Sequence, residues 1–125
     1  MTEWSPTELD RIGAAKELSI TTRRADGSLR AWTPIWVVRV GDELYVRSWK
    51  GAGGAWYRHA ARTGATRVRA SGIERDVTVE NVPADDAAHP AIDAQYRAKH
   101  GAHSSYVAPM VAPAAVEATL RLIPA

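Results

Sequence analysis

Leu9, Ile12 and Ala15 repeat at helical spacing until about Leu18, where the pattern changes to the alternation of strands. The helix carries a complete start signal. Ser5 as N-cap, Pro6 at the first helical position and Glu8 three residues after the cap form a capping box, and Trp4 and Leu9 are placed to close a hydrophobic staple. SITTRR (19–24) and SLRAWTPIWVVRV (28–40) flank the turn signal Ala25-Asp26-Gly27-Ser28, and Gly41-Asp42 separates the second run from ELYVRSW (43–49). That predicts a three-stranded meander. Pro34 has no amide to give to a ladder, so it marks a bulge, an edge or a bend. AWYRHAART (55–63), ending at Gly64, reads as a short helix. ATRVRAS (65–71) and GIERDVTVENV (72–82), turning at Gly72, place Val68 and Ala70 on one face with Ile73, Val77 and Val79. The Pro/Asp segment VPADDAAHP leads into AIDAQYRAKHG (91–101), a helix with Ile92 and Tyr96 on one face and Gly101 closing it, and VEATLRLIPA (116–125) reads as a last strand. The order is αβββαββαβ, about six strands and three short helices. Short turns between strands predict a mainly β, α+β fold, a small antiparallel barrel in one domain spanning 1–125, because a parallel sheet needs crossovers between most strands.

Composition narrows the classes. With 125 residues, 46% of them hydrophobic and 24% charged, the chain is far from the regime of disorder and long enough to bury a core without a metal or disulfide staple. It has no cysteine, which excludes a thiolate nucleophile, a zinc finger and an iron–sulfur site. The opening MTEWSPTELD is acidic and polar and carries no secretory signal. The densest apolar stretch, Trp32 to Val40, is interrupted by Pro34 and Arg39. Both features predict a soluble, cytoplasmic protein with no membrane partner. Lys and Arg number 16 against 14 Asp and Glu, an excess too small to call for a nucleic-acid partner. The cations are nearly all Arg and most lie between Arg23 and Arg75, whereas 76–93 is acidic. The middle of the chain is therefore where an anion would be gripped, unless these are solvated strand faces.

The segment SWKGAGGAW (48–56) is the most suggestive for chemistry. A strand ends at Ser48, Lys50 follows, and three glycines lead into a helix start, so backbone amides, the helix dipole and the Lys50 charge can converge on one anion; the alternative is a solvated glycine-rich loop. The GxxxxGK[ST] pattern of nucleotide hydrolysis is absent. His100 and His103 flank the helix-breaking Gly101 with no third ligand at useful spacing, so no metal is expected. Ser104 and Ser105 lie near His103 without a G-x-S-x-G elbow. There are five Trp and no Phe. Trp36 reads as core, whereas Trp49 and Trp56 flank the glycine loop, either as packing or as an aromatic wall for a planar, phosphate-bearing ligand.

Taken in order, the motifs L-x-I-T-T-x-R-x-D-G-x-x-R, IWVVRVGDELYVRSWKG, AWYRHA and the terminal TLRL resemble the bacterial domain-of-unknown-function family twenty-two fifty-five. That family is similar to the split-barrel flavin-binding proteins, close to the deazaflavin-dependent nitroreductases. The resemblance runs from Trp4 to Pro124 and implies a six-stranded antiparallel split β-barrel of the flavin-binding type. The reductase pattern T-T-x-G-R-K-S-G-x-x-R matches Thr21, Thr22, Arg24, Gly27 and Arg30, with Arg23 in place of the glycine and Ala25 in place of the lysine. The A-S-x-G-G turn followed by W-Y matches Ser48, Gly51, Trp56 and Tyr57, with Lys50 added.

The resemblance implies a flavin- or deazaflavin-dependent oxidoreductase acting on a small organic molecule, with deazaflavin or FMN as cofactor. Ser48, Lys50 and the amides after Gly51 would hold a phosphate, Arg24 and Arg30 would assist from the hairpin, and Trp49 or Trp56 would wall the ring. Tyr96, His103 and Tyr106 would face substrate, with Tyr106 the candidate proton donor. A cofactor-free cyclase, isomerase or dehydratase, or a non-catalytic binder, could use the same pocket. The size of the chain and the unpaired edges expected of a split barrel predict a homodimer.

Overall fold

A computed structural model of the chain describes residues 3–63, 65–101 and 105–125. It opens with α1 (Pro6–Ala14), whose capping box is formed: the Glu8 amide donates to Ser5 Oγ at 3.1 Å and the Ser5 amide donates to Glu8 Oε1 at 2.9 Å. Leu9 and Ile12 bury the inner face of this helix. Trp4, just before it, donates its indole N–H to the Leu122 carbonyl at 2.9 Å and joins the same core.

Six strands follow, β1 (Glu17–Thr22), β2 (Thr33–Val40), β3 (Glu43–Arg47), β4 (Ala65–Ala70), β5 (Ile73–Asn81) and β6 (Thr119–Pro124). All neighbours are antiparallel and the ring closes in the order β1-β2-β3-β6-β5-β4. The expected α+β split barrel is therefore the fold. Alternation sends Leu18, Ile20, Val37, Leu44, Val46, Val68, Val77, Leu120 and Leu122 into the lumen, where they form one buried cluster with α1 and α2 (Ala55–Thr63). Ala70, Ile73 and Val79 pack against it, on the face the sequence assigned them.

The barrel has a second core on its outside. Val38 and Tyr45, the outward residues of β2 and β3, are covered by Ile92 and Tyr96 of α3 (His89–His100) and by Met110 of α4 (Val107–Val111). Two short helices, α4 and α5 (Pro113–Glu117), occupy a stretch to which the sequence pattern assigns no element, so the helices number five among the described residues, with a 3₁₀ turn at Gly51–Gly53. β2 is also shorter than its apolar run. Residues 28–30 bend back on β1 through an Arg23–Leu29 bridge and an Arg30 amide bond to the Thr22 carbonyl at 2.9 Å. Ring closure leaves no strand among the described residues with a free edge along its whole length, contrary to the edges expected of the sequence. One half-paired stretch bears on the cleft. β1 pairs with β2 from Thr33 to Trp36, but β3 joins β2 only from Val37 onward, opposite Val46. Pro34 falls in that half-paired stretch, where its missing amide costs nothing on the β3 side.

Candidate functional site

The slit between β2 and β3 opens into a cleft of about 500 Å³. Its wall is apolar and aromatic, from Pro34, Ile35 and Trp36 on β2, Trp56 on α2, and Pro109 and Met110 on α4. Trp49 and Tyr106 stand at its rim, 61% and 75% exposed. Charged and polar groups enter from Glu17, Thr33, Arg47, Ser48 and Lys50.

The loop from Ser48 to Gly54 is tightly built. The Ser48 amide donates to the Ala118 carbonyl at 3.2 Å, and the Ser48 carbonyl accepts from the Gly51 amide at 3.0 Å. The chain then turns through Gly51 at φ +67°, a left-handed conformation unfavourable to any side chain. Gly54 is required for a different reason: a Cβ there would lie 2.4 Å from Ser48 Oγ. Gly54, which has no side chain of its own, and Ala55 bring the start of α2 to the cleft, and its first amides add a partial positive charge there. Lys50 packs its ammonium 5.3 Å from the centre of the Trp49 ring.

Behind the wall lies a residue that the sequence reading passed over. Arg47 is 1% exposed. Its Nε donates to Thr119 Oγ1 at 2.9 Å, its Nη1 to Asp93 and to the Met110 carbonyl, and its Nη2 to His89 Nδ1 at 3.0 Å. Because a guanidinium can only donate, His89 Nδ1 accepts and its Nε2–H donates to the Pro83 carbonyl at 2.7 Å, which fixes a neutral tautomer. One cation thus joins β3, α3, α4 and β6, and positions the Met110 wall of the cleft.

The predicted site residues divide into three groups. Ser48, Trp49, Lys50, Trp56 and Tyr106 all line the cleft, and Gly51 shapes its loop. Arg24 and Arg30 do not line it. Arg24 turns back on its own hairpin to the Leu29 carbonyl at 2.8 Å. Arg30 lies towards α2, where His59 is held below its ordinary value by burial and then by Arg30, Arg62 and Arg58. Tyr96 does not reach the cleft either: the face it shares with Ile92 is turned onto the sheet, and it is wholly buried beneath the Arg47 guanidinium, 5.4 Å from its ring centre. Burial pushes its phenol far above the usual tyrosine range. His103, like Gly64, lies outside the described residues. Trp36, expected in the core, is half-buried with one side on the cleft. No three His, Asp or Glu side chains come together as metal ligands among the described residues.

The C-terminal end of α3 supports the slit. The Lys99 ammonium donates to the Val37 carbonyl at the last β2–β3 rung, and burial lowers its pKa to about 8. His100 stacks on Trp36, and burial, followed by the charges of Lys99 and Lys16, lowers its pKa to about 4.

A six-stranded antiparallel split barrel with its cleft at the slit defines the class of protein. Residues 8–122 match the family model described as "Uncharacterized protein conserved in bacteria (DUF2255)", and the chain belongs to that family. No curated protein matches it. Among solved structures, the fold is similar to the heme storage protein HutZ from Vibrio cholerae, at 14% identity and TM-score 0.69, covering 98% of this chain and 91% of that one. It is also similar to an F420 reductase, at 15% identity and TM-score 0.60, covering 93% and 90%. A FAD-binding protein from Mesorhizobium loti is similar at 16% identity and TM-score 0.56, covering 97% and 88%. These likenesses are of fold, and the fold is one that flavin-, F420- and heme-binding proteins share.

Proposed function

We propose that the protein is an oxidoreductase that binds FMN or a deazaflavin in the slit cleft and acts on a small organic molecule. The observation that carries this reading is the meeting, in one cleft of about 500 Å³, of Trp36, Trp49 and Trp56 with Lys50 and the start of α2. The size is that of a small-molecule site, the indoles suit a flat ring system, and the cationic corner suits a phosphate. A cofactor of this type supplies the hydride. The chain's own residues bind and orient it. Ser48, Lys50 and the backbone from Gly51 hold the phosphate, and Trp49 and Trp56 flank the ring. Arg24 and Arg30 serve any anionic portion extending past the cleft towards α2. Tyr106, at the rim, is the residue proposed to hold a proton for the substrate. Tyr96 acts only from behind, by backing Arg47, and His103 stays a candidate by its place in sequence. The exposed Trp49 and Tyr106 beside the opening further support a homodimer.

The test is titration with FMN and with deazaflavin, oxidised and reduced, followed by quenching of tryptophan fluorescence. Saturable binding of at least one is expected, and loss of that quenching on Trp36→Leu would place it in the cleft. No binding of any at about millimolar ligand, a level at which only a few kcal/mol of affinity is needed, rejects the reading.

A further inference from the structure

Three charged residues line the cleft, Glu17, Arg47 and Lys50. Arg47 has its charge met by Asp93 behind the wall. Neither Glu17 nor Lys50 takes part in any ion pair among the described residues. Glu17 is the register partner of Trp36, and continuing the Val37–Val46 register one step places Trp36 opposite Arg47, with Lys50 beyond it. In a regular sheet that register puts two strand spacings, about 10 Å, between the Glu17 position and that of Arg47. The surface between them is the indole of Trp36 with Pro34 and Ile35 beside it.

A carboxylate and an ammonium at opposite ends of an aromatic wall form a polarised site. Anything laid across the wall strips water from both. An apolar or anionic group over Glu17 leaves that carboxylate desolvated without a partner, whereas an N–H or cationic group gives it a charge-assisted hydrogen bond. Discrimination follows as much from the penalty as from the bond. Taking the cleft as the ligand site proposed above, we infer that Glu17 is a specificity-determining residue. The cleft selects flat ligands of bipolar form, with an anionic group at the Lys50 end and an N–H donor or cationic group at the Glu17 end, and rejects ligands that are anionic at both.

The side chain of Glu17 is exposed and makes no hydrogen bond or ion pair among the described residues, so its variants retain the fold, which circular dichroism and an unchanged melting temperature verify. Three naphthalene probes separate the charge patterns: the 2-sulfonate, the 6-(aminomethyl)-2-sulfonate and the 2,6-disulfonate. Each is titrated against the protein and against Glu17→Gln and Glu17→Lys, with tryptophan quenching as readout. In the wild type the aminomethyl sulfonate should bind about tenfold tighter than the disulfonate, the order of effect of one charge-assisted bond gained against one like-charge contact. Glu17→Gln should shrink that ratio and Glu17→Lys should reverse it. Equal affinities in the wild type, an order that Glu17→Lys leaves unchanged, or no binding by any probe overturns the inference. FMN titrated in parallel keeps the two readings apart. FMN binding with unordered probes removes the polarity and leaves the cofactor, whereas ordered probes without FMN or deazaflavin binding leave the polarity and remove the cofactor.

Discussion

The imidazole of His100 lies flat on the indole of Trp36, the ring centres 3.8 Å apart and the planes within 3° of parallel. Both imidazole nitrogens are buried without a hydrogen-bond partner, so the ring is kept neutral by its surroundings and serves as the backing of the cleft wall. This makes His100 a pH-sensitive element of stability. Its folded pKa of about 4 lies below its ordinary 6.5, so the unfolded chain binds the proton first as pH falls. The stabilising contribution is complete above about pH 6.5 and is lost as pH falls through about 4. His100→Phe keeps a flat ring and cannot titrate. Melting temperatures between pH 7 and pH 4 should fall more steeply for the wild type than for His100→Phe, and parallel curves would show that His100 contributes no such slope.

Lys50→Ala should weaken FMN or deazaflavin binding by about tenfold to a hundredfold, the worth of one charge-assisted hydrogen bond. The melting temperature of the ligand-free protein should barely change, because Lys50 is exposed and its contact is with the equally exposed Trp49. A large loss of stability instead would make Lys50 a support of the loop.

Gly54→Ala should destabilise the protein by about 1–3 kcal/mol, the usual cost of forcing an extra carbon into a packed place. The predicted Cβ would clash with Ser48 Oγ at 2.4 Å, while the Ser48 Cβ is 3.6 Å away. Ser48→Ala removes only the clashing oxygen. Urea unfolding of the double variant should therefore show most of the Gly54→Ala cost gone, and strict additivity would refute the contact.

Arg47→Ala should cost about 3–5 kcal/mol in urea unfolding, since a buried ion pair loses one partner. Arg47→Met, which fills the space and removes the charge, leaves Asp93 less well compensated yet keeps the packing against Tyr96. The paired variant Arg47→Met with Asp93→Asn should recover a good part of the loss. If Asp93→Asn adds nothing to Arg47→Met, the unpaired Asp93 carboxylate is no part of the cost.

Sedimentation velocity at micromolar concentration should give a mass about twice that of the 13.6 kDa chain. Trp49→Lys with Tyr106→Lys should shift it to the monomer if the exposed rim is the interface. A wild-type monomer would reject the dimer.

The fold was legible wherever local chemistry alone decides it. The Ser5–Glu8 capping box and the alternation in β4 and β5 are such cases, because a cap and a period of two are written in adjacent residues. The two helices α4 and α5 were not legible. Each has five residues and the pair is broken by Pro109 and Pro113, too short for a 3.6-residue period to show. The cleft was half visible: Ser48, Trp49, Lys50 and Trp56 stand together in sequence, whereas Glu17, Trp36 and Met110 arrive from three other elements. Arg47 was hidden by its type, since a strand arginine ordinarily faces water. The available sign was the unbroken Leu44-Tyr45-Val46 run, which lacks alternation because β3 is covered on both sides, by the lumen and by α3 with α4. Tyr96 was misplaced because a helix face gives its neighbours only once the sheet beneath it is known.

The cleft lies on the outside of the barrel wall, against a second core, rather than in the lumen. Of the residues that line it, only Ile35 and Trp56 also pack against the cluster that fills the barrel. The wall of the cleft and the filling of the lumen thus draw on nearly separate sets of side chains, although Trp36 and Met110 also belong to the outer core and Arg47 lies against it. Given the ligand role proposed for the cleft, a population of such sequences can drift at Glu17, Trp49, Lys50 or Tyr106, and so trade one ligand for another, while the lumen keeps the same valines and leucines and the same shape.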